Sequence, residues 1–187
     1  MDPRIARTRR SLREALFALA RERGLDEISV SDIAERAGVN RSTYYQHYSD
    51  KDTLLADALD AVIDEVVGER RTSDVTENEG AEMLFGYLRH VEEHAALYEV
   101  LLGENGSATI QVRMANRLQV LLLDAFEGEH AQPPGMAELP TSVAAAALAG
   151  AGLATIRAWL GTSPRPSVET AAQWIWITLR SQGTLPR

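Results

Sequence analysis

Residues 29–51 constrain the fold of this chain more than any other stretch, because they predict two short helices joined by a tight turn. Ser29 and Asp32 have the spacing of a capping box, in which each side chain accepts a hydrogen bond from the other's backbone amide. Gly38 stands where the first helix should end, since glycine turns the backbone through a left-handed conformation without steric cost. The second helix is predicted over residues 41–47. Helix, glycine-containing turn and helix in about twenty residues indicate a helix-turn-helix, whose second helix enters the major groove of DNA.

The second helix carries side chains suited to contact with DNA. Asn40 is predicted to cap it, and the adjacent Tyr44 and Tyr45 must point about a quarter-turn apart, so that one faces the core and the other faces DNA. Arginine, histidine and lysine can meet phosphates, while short polar side chains can reach base edges. The predicted DNA-binding residues are Arg41, Ser42, Thr43, Tyr45, Gln46, His47 and, at the start of the next helix, Lys51.

This region resembles a known protein family. Residues 5–55 are similar to the DNA-binding domain of the tetracycline-repressor (TetR) family of bacterial regulators. Two departures are Tyr48, where the family usually has Phe, and Tyr44, where it often has Leu or Phe. By resemblance, Ser42, Thr43 and Tyr45 would touch bases, and Tyr45, His47 and Lys51 would hold the DNA backbone. The resemblance is carried by Ser29, Ile33, Ala34, Ala37, Gly38, Val39, Thr43, Tyr45, His47, Lys51 and Leu54.

Helical periodicity continues to the end of the chain, with no strand pattern of any length. The sequence predicts an all-α fold of about nine helices, over residues 4–23, 30–37, 41–47, 52–71, 79–93, 94–102, 108–127, 141–161 and 167–182. Residues 72–79 are predicted to form a loop. We predict two domains: a three-helix DNA-binding domain over residues 1–51, and a helical effector-binding and dimerisation domain over residues 52–187.

Charge is distributed unevenly between these two parts. Residues 1–51 hold ten basic and eight acidic residues, a net charge of +2, whereas the remainder holds nine basic and nineteen acidic residues, a net charge of −10. The whole chain therefore carries a net charge of −8. A slightly basic N-terminal part (residues 1–51, the head) attached to an acidic remainder (residues 52–187, the body) suits a protein that contacts DNA at one end only. Arg4, Arg7, Arg9 and Arg10 crowd the start of the first helix, either as DNA contacts or as a solvated arm.

Several other classes of protein fit the sequence poorly. The chain has no cysteine, which excludes disulfides and thiolate chemistry, and we expect no membrane span and a cytoplasmic location. His90 and His94 match the H-x-x-E-H spacing of a class of zinc peptidases, but the third ligand is unspecified. We therefore predict no metal, no cofactor and no catalytic residue, and we expect that the protein is not an enzyme.

The last two predicted helices are apolar on more than one face, which predicts burial on more than one face. A homodimer that packs these two helices of each chain as a four-helix bundle would cover them, and the family resemblance implies the same. A monomer with a covering segment is the alternative. The predicted dimer-interface residues are Ala147, Gly150, Ala151, Ala154, Ala158, Trp174 and Ile177.

Large and adaptable side chains lie on the inward stripes of the body helices, where the family resemblance implies a cavity for a small, largely apolar effector. An ordinary filled core would use the same residues. The predicted lining is Met83, Tyr87, Tyr98, Met114, Leu118, Phe126 and Trp159.

The function hypothesis is a homodimeric transcriptional regulator, a repressor that a small, largely apolar ligand releases from a pseudo-palindromic double-stranded DNA operator. Two alternatives stay open. One is a DNA-binding regulator controlled by a protein partner, with no small-molecule cavity. The other is an activator of the same fold.

Overall fold

The computed structural model describes residues 3–68, 77–104, 106–127 and 132–180, and these residues form helices and connecting loops without a strand. This confirms the all-α prediction. The α-helices are α1 (Pro3–Arg23), α2 (Val30–Arg36), α3 (Arg41–His47), α4 (Lys51–Gly68), α5 (Glu77–Glu93), α6 (Ala95–Leu102), α7 (Ala108–Glu127), α8 (Thr141–Leu160) and α9 (Val168–Arg180), with a short 3₁₀ turn at Pro134–Met136.

The local signals of the helix-turn-helix are confirmed at α2. The Ser29 hydroxyl accepts from the Asp32 amide at 3.2 Å, and the Asp32 carboxylate accepts from the Ser29 amide at 2.8 Å, so the capping box is complete. Gly38 has the expected left-handed backbone, with φ of 68°. Asn40 occupies the N-cap position of α3 as predicted, but its side chain makes no capping hydrogen bond and only its carbonyl accepts from the Tyr44 amide.

Helix α4 connects the helix-turn-helix to the body. It packs against α1 at one end and against α5 and α7 further along. Arg113 of α7 pairs with Asp60 at 2.7 Å, and Arg117 pairs with Asp64 one turn later. Because the first turns of α4 pack on the head, the predicted division after residue 51 falls at the helix's first residue rather than in a linker.

The predicted start of α5 needs correction, while the predicted end of α4 at residue 71 lies outside the described residues. The structure begins α5 at Glu77, inside the predicted loop over residues 72–79. Residues 69–76 lie outside the described part of the chain, as do residues 181–187 and therefore the predicted end of the last helix.

Helix α8 is the centre of the body and packs against α6, α7 and α9. Contrary to our expectation from the sequence, its 20 residues have the length and mean hydropathy, 1.5, of a membrane span. Its inner stripe, which includes Leu148, Ile156 and Trp159, is buried against neighbouring helices, as in the core helix of a bundle. The main core runs without a break from Leu12 in α1 to Ile175 in α9.

Candidate DNA interface and ligand cavity

Two tyrosines anchor the recognition helix α3 to the core of the head. Tyr44 is fully buried, and its hydroxyl donates to the Asp50 carbonyl at 2.8 Å, while burial raises its pKa well above the usual value. Tyr48 at the end of the helix is 2% exposed. Tyr45, in contrast, is 47% exposed, which confirms that the two adjacent tyrosines divide between core and surface.

Anchoring by these tyrosines leaves one polar face of α3 in solvent. Arg41, Ser42, Tyr45 and Gln46 are exposed, whereas Thr43 and His47 are half-buried at its margins. The Arg41 guanidinium donates to the Tyr45 hydroxyl at 3.2 Å and lies 5.5 Å from the centre of its ring. Among the described residues, no carboxylate forms an ion pair with Arg41. The cation is therefore held in place but keeps donors for a phosphate.

Lys51 has a structural role that the sequence did not reveal. Its ammonium donates to the Leu25 carbonyl at 2.7 Å and to the Ile28 carbonyl at 3.1 Å. These bonds tie the start of α4 to the connection between α1 and α2. An ammonium has three donors, so one remains for a DNA phosphate, and contact with DNA stays a prediction for this residue.

A polar cluster joins α1, the end of α3 and α4. The Tyr48 hydroxyl donates to the Asp57 carboxylate at 2.5 Å and accepts from Arg9 at 3.2 Å, and Arg9 and Arg13 pair with Asp57 at 3.1 and 3.2 Å. Burial and the bond to Asp57 raise the pKa of Tyr48 to about 12. Because Arg9 is bonded to Tyr48 and Asp57, it is not a free arginine at the start of α1. The tyrosine in place of the usual phenylalanine was the only signal for this cluster in the sequence.

The body contains a cavity of about 210 Å³ between α4, α5, α7, α8 and α9. Of the seven predicted lining residues, Met83, Tyr87 and Leu118 lie in its wall. Most of the rest of the wall is aliphatic, with Ile63 contributed by α4 and Ile175 by α9.

The other four predicted residues do not line this cavity. Tyr98 and Trp159 are fully buried in the packed core, where the Trp159 indole donates to the Pro166 carbonyl at 2.8 Å. Met114 lies in a small crevice between α4 and α7, and Phe126 packs in a separate apolar cluster with Met136. All four point inward as predicted, but neighbouring side chains fill the space beside them.

Comparisons with known proteins agree with this architecture. Residues 12–58 match the model of the bacterial regulatory proteins of the tetR family. The head of this chain therefore matches the DNA-binding domain of the TetR family. A curated relative, the HTH-type transcriptional regulator YxbF of Bacillus subtilis (strain 168), is 34% identical over 68 residues, which are 36% of this chain and 18% of that protein. The match therefore spans under a fifth of the relative's length.

Solved structures, two of them of TetR-family regulators, share the fold along nearly the whole chain. A TetR transcriptional regulator from Streptococcus agalactiae 2603V superposes with a TM-score of 0.63 at 23% identity, covering 96% of this chain and 97% of that one. Thermus thermophilus FadR, in complex with lauroyl-CoA, gives 0.61 at 16% identity, with 96% of each chain covered. RolR, in complex with resorcinol, gives 0.56 at 18% identity, covering 96% and 90%.

The histidine pair lies where α1 of the head meets the body. The rings of His90 and His94 stack at 4.3 Å, and Phe17 of α1 contacts both edge-on, at 5.0 and 4.8 Å. Nδ1 of His94 donates to the His90 carbonyl at 3.0 Å. In the described part of the chain, no group of three or more metal-ligating side chains gathers here or elsewhere. The pair forms an aromatic contact between the head and the body.

The predicted dimer face is open to solvent in the single chain. Ala147, Gly150, Ala154 and Ala158 are exposed along α8, and Ala151 is half-buried. On α9 the large residues Trp174 and Ile177 are 36% and 53% exposed. The face thus combines small residues on one helix with large apolar residues on the next.

Proposed function

We propose that this protein is a transcriptional regulator, a repressor that binds a pseudo-palindromic DNA operator as a homodimer and is released by a small, largely apolar ligand. The observation that carries the proposal is the recognition helix itself. Tyr44 and Tyr48 fix α3 in the core, while its exposed face presents Arg41, Ser42, Tyr45 and Gln46 to solvent. Fixed polar side chains on a protruding helix are what reading of a major groove requires.

Each residue of this face has a proposed role that follows from its chemistry. Arg41 and His47 contact phosphates, with Lys51 adding its remaining donor. Ser42, Thr43 and Gln46 reach base edges, and Tyr45 contacts a thymine methyl or the DNA backbone.

The exposed face of α8 and α9 supports a homodimer as the DNA-binding unit. Small residues allow a helix from a second copy to approach closely, and Trp174 and Ile177 supply apolar area that is otherwise in water. A two-fold dimer would present two copies of α3 to half-sites separated by about one helical turn of DNA or more.

Helix α4 offers the physical connection between ligand and DNA. Ile63 of α4 lines the cavity, and Asp57, two turns earlier, holds Tyr48 at the end of the recognition helix. A ligand that fits the cavity better in one position of α4 shifts the population towards the corresponding head spacing. FadR and RolR, which share this fold, hold lauroyl-CoA and resorcinol, so the fold can hold small organic ligands.

Fluorescence anisotropy with labelled duplexes that tile the DNA upstream of the protein's own gene tests the proposal. We expect saturable binding to one tile that resists added salt better than binding to scrambled DNA. Equal and weak binding to all tiles would place the operator elsewhere, whereas no binding even at low salt would refute the assignment of α3 as a DNA-contacting helix.

Two variants and one control make the assay specific to α3. Arg41→Ala should weaken binding to all sequences and lower the slope of affinity against salt by about one, as loss of a phosphate contact does. Gln46→Ala should cost about 1–3 kcal/mol at one base position only. Arg36→Ala is the control, since Arg36 is also an exposed arginine of the helix-turn-helix but pairs with Glu22 at 2.6 Å and lies on α2. An equal loss in Arg36→Ala and Arg41→Ala would contradict the assigned face.

Crystal structures of the DNA-bound and ligand-bound dimers test the release mechanism. Identical separation of the two heads in both states would refute it. A protein partner that binds the body and releases the operator, while no small molecule does so, would favour the alternative without a ligand cavity.

A further inference from the structure

The cavity wall is apolar except at one place. Its lining includes aliphatic side chains from α4, α7, α8 and α9, and Tyr87 of α5 is the lining residue that carries a hydroxyl. No charged side chain of the described part of the chain belongs to this lining. Tyr87 is therefore the place in this lining where a hydroxyl can meet a polar group of a ligand.

Two further polar groups lie behind Tyr87, and neither makes a hydrogen bond of normal geometry within the described part of the chain. Tyr98 packs edge-on against Tyr87, with ring centres 6.4 Å apart, and His90 packs edge-on against Tyr98 at 5.8 Å. The Tyr98 hydroxyl and Nε2 of His90 are buried without a hydrogen bond of normal geometry among the described residues. The Tyr98 hydroxyl is close to that of Tyr87, whereas Nε2 of His90 has no partner at all in the residues described. Most buried polar groups are paired, so a poorly paired cluster favours a polar group brought by a ligand.

This cluster is electrically neutral near pH 7. Burial, with a smaller contribution from His94, lowers the pKa of His90 to about 4. Burial also raises the pKa of Tyr87 to about 12, and burial together with the nearby Tyr87 raises the pKa of Tyr98 well above its usual value. Neutral hydroxyl and imidazole groups can exchange hydrogen bonds with a hydroxyl or carbonyl, but they cannot compensate the buried charge of a carboxylate.

The size of the cavity limits the ligand as well. An engineered cavity of roughly 150 Å³ in another protein takes up benzene. The volume of the present cavity, about 210 Å³, exceeds that value by less than half of it. It has room for about one to two fused rings, or a short chain of similar volume.

We propose that the cavity selects an uncharged, mainly apolar molecule of one to two rings that carries a single hydroxyl-type group, and that this group binds at Tyr87 with Tyr98 and His90 behind it. The inference rests on the proposed ligand cavity and adds the chemical class of its ligand. It also predicts rejection of carboxylates that have the same carbon skeleton.

Three probes of one skeleton test the proposal with the purified full-length protein at pH 7. Naphthalene has no polar group, 1-naphthol adds a neutral hydroxyl, and 1-naphthoate adds a carboxylate. Binding is measured by isothermal titration calorimetry, with thermal shift as a second readout. One neutral hydrogen bond corresponds to an affinity ratio of about 3–10, so 1-naphthol should bind more tightly than naphthalene by that factor. Binding of 1-naphthoate should be weaker than that of naphthalene, because its charge has no partner.

Conservative variants separate the polar end from the apolar wall. Tyr87→Phe keeps the ring and should reduce the affinity for 1-naphthol to that for naphthalene, which itself should not change. Tyr98→Phe removes a buried hydroxyl that makes no hydrogen bond of normal geometry among the described residues, so it should leave the melting temperature unchanged or raise it while it weakens 1-naphthol binding. A hydroxyl with a purely structural role would show the reverse: a lower melting temperature and unchanged binding.

Gly152→Leu tests the cavity independently of its polar end. Gly152 lies in the wall, and a Cβ atom built there meets no atom within 4 Å, so a leucine side chain can occupy the cavity. It should abolish binding of all three probes. Ala108→Leu is the control, because it adds the same side chain at the exposed first residue of α7, outside the cavity wall, and should leave binding unchanged.

The outcomes distinguish failure of this inference from failure of the proposed function. If no probe binds, or if Gly152→Leu changes nothing, the ligand cavity itself is refuted. If naphthalene binds and Gly152→Leu abolishes that binding, but 1-naphthoate binds as well as 1-naphthol, the cavity stands and the neutral polar end is refuted. Equal binding of naphthalene and 1-naphthol, unaffected by Tyr87→Phe, would also refute the polar end.

Discussion

Replacing Gly150 and Gly152 by alanine, one at a time, tests the roles proposed for opposite faces of α8. Both glycines lie in the middle of the same helix, and a Cβ atom built at either position meets nothing within 4 Å in the single chain. Gly152 faces the cavity, whereas Gly150 lies on the exposed face predicted to meet a second copy. The two substitutions are therefore chemically identical and differ only in what lies beyond the new methyl group.

The expected effects can be estimated from helix propensity and burial. Alanine in place of glycine stabilises a helix interior by about 0.5–1 kcal/mol at either position. At Gly152 the methyl also enters the apolar cavity, which adds up to about 0.8 kcal/mol. Gly152→Ala should therefore stabilise the protein by about 1–2 kcal/mol, or roughly 2–7 °C in melting temperature for a chain of this size.

At Gly150 the gain in helix propensity is opposed by the interface. A methyl group inserted between closely packed helices costs about 1–3 kcal/mol, and a two-fold dimer carries it in both copies, so the dimer should be weakened by at least about 5- to 150-fold. Sedimentation equilibrium gives the dissociation constant of the dimer, and calorimetry at a fixed protein concentration gives the melting temperature, since the stability of a dimer depends on concentration.

Two results would refute the reasoning. If Gly150→Ala raises the melting temperature as much as Gly152→Ala and leaves the dissociation constant unchanged, the exposed face of α8 is not a dimer contact. If Gly152→Ala destabilises the protein, the space beside Gly152 is not available and the cavity is absent in solution.

Three further substitutions probe the head and its contact with the body. Tyr48→Phe removes the hydroxyl that bonds to Asp57 and Arg9. It should lower the free energy of unfolding, measured in urea, by about 1–2 kcal/mol and weaken operator binding. An unchanged free energy of unfolding would show that the hydroxyl contributes nothing to stability. Lys51→Met should destabilise the head by about 1–3 kcal/mol, because the Leu25 and Ile28 carbonyls lose their donor. It should reduce the dependence of DNA affinity on salt only if the remaining N–H of the Lys51 ammonium contacts a phosphate. The folded-state pKa of His90 is about 4, below the unfolded value of 6.5, so the unfolded chain takes up the proton first as pH falls. The contribution of His90 to the free energy of unfolding should be fully present above about pH 6.5 and should be lost, by roughly 2–3 kcal/mol, as the pH falls towards 4. Urea titrations at several pH values measure this loss, and it should be smaller in His90→Gln.

Local structure in the head followed from the sequence because its causes lie within a few residues of each other. The capping box needs only Ser29 and Asp32 at a spacing of three, and the left-handed turn needs only Gly38. The division of Tyr44 and Tyr45 between core and surface follows from the angle between successive residues of a helix. The one local prediction that failed was the side-chain cap at Asn40. It failed because an exposed asparagine side chain can bond to water instead of to a backbone amide.

Residues far apart in the sequence decided the rest. Lys51 pairs with carbonyls 26 and 23 residues earlier, and Tyr48 with Asp57 and with Arg9, 39 residues before it. No periodicity or spacing in the sequence specifies such partners, because they depend on the angle at which α1 and α4 cross. The side-chain types gave the capacity for these bonds, and only the packed helices selected the partners.

The cavity shows the same division between sequence and tertiary structure. Helical periodicity determined that Tyr87, Tyr98 and Trp159 all point inward, and burial of all three agrees. Whether an inward side chain borders a cavity or packed atoms depends on the volumes that other helices bring to the same place. Tyr87 borders the cavity, while Tyr98 lies directly behind it in the filled core. The shape of the cavity depends on how five helices pack together, so no single stretch of sequence specifies it.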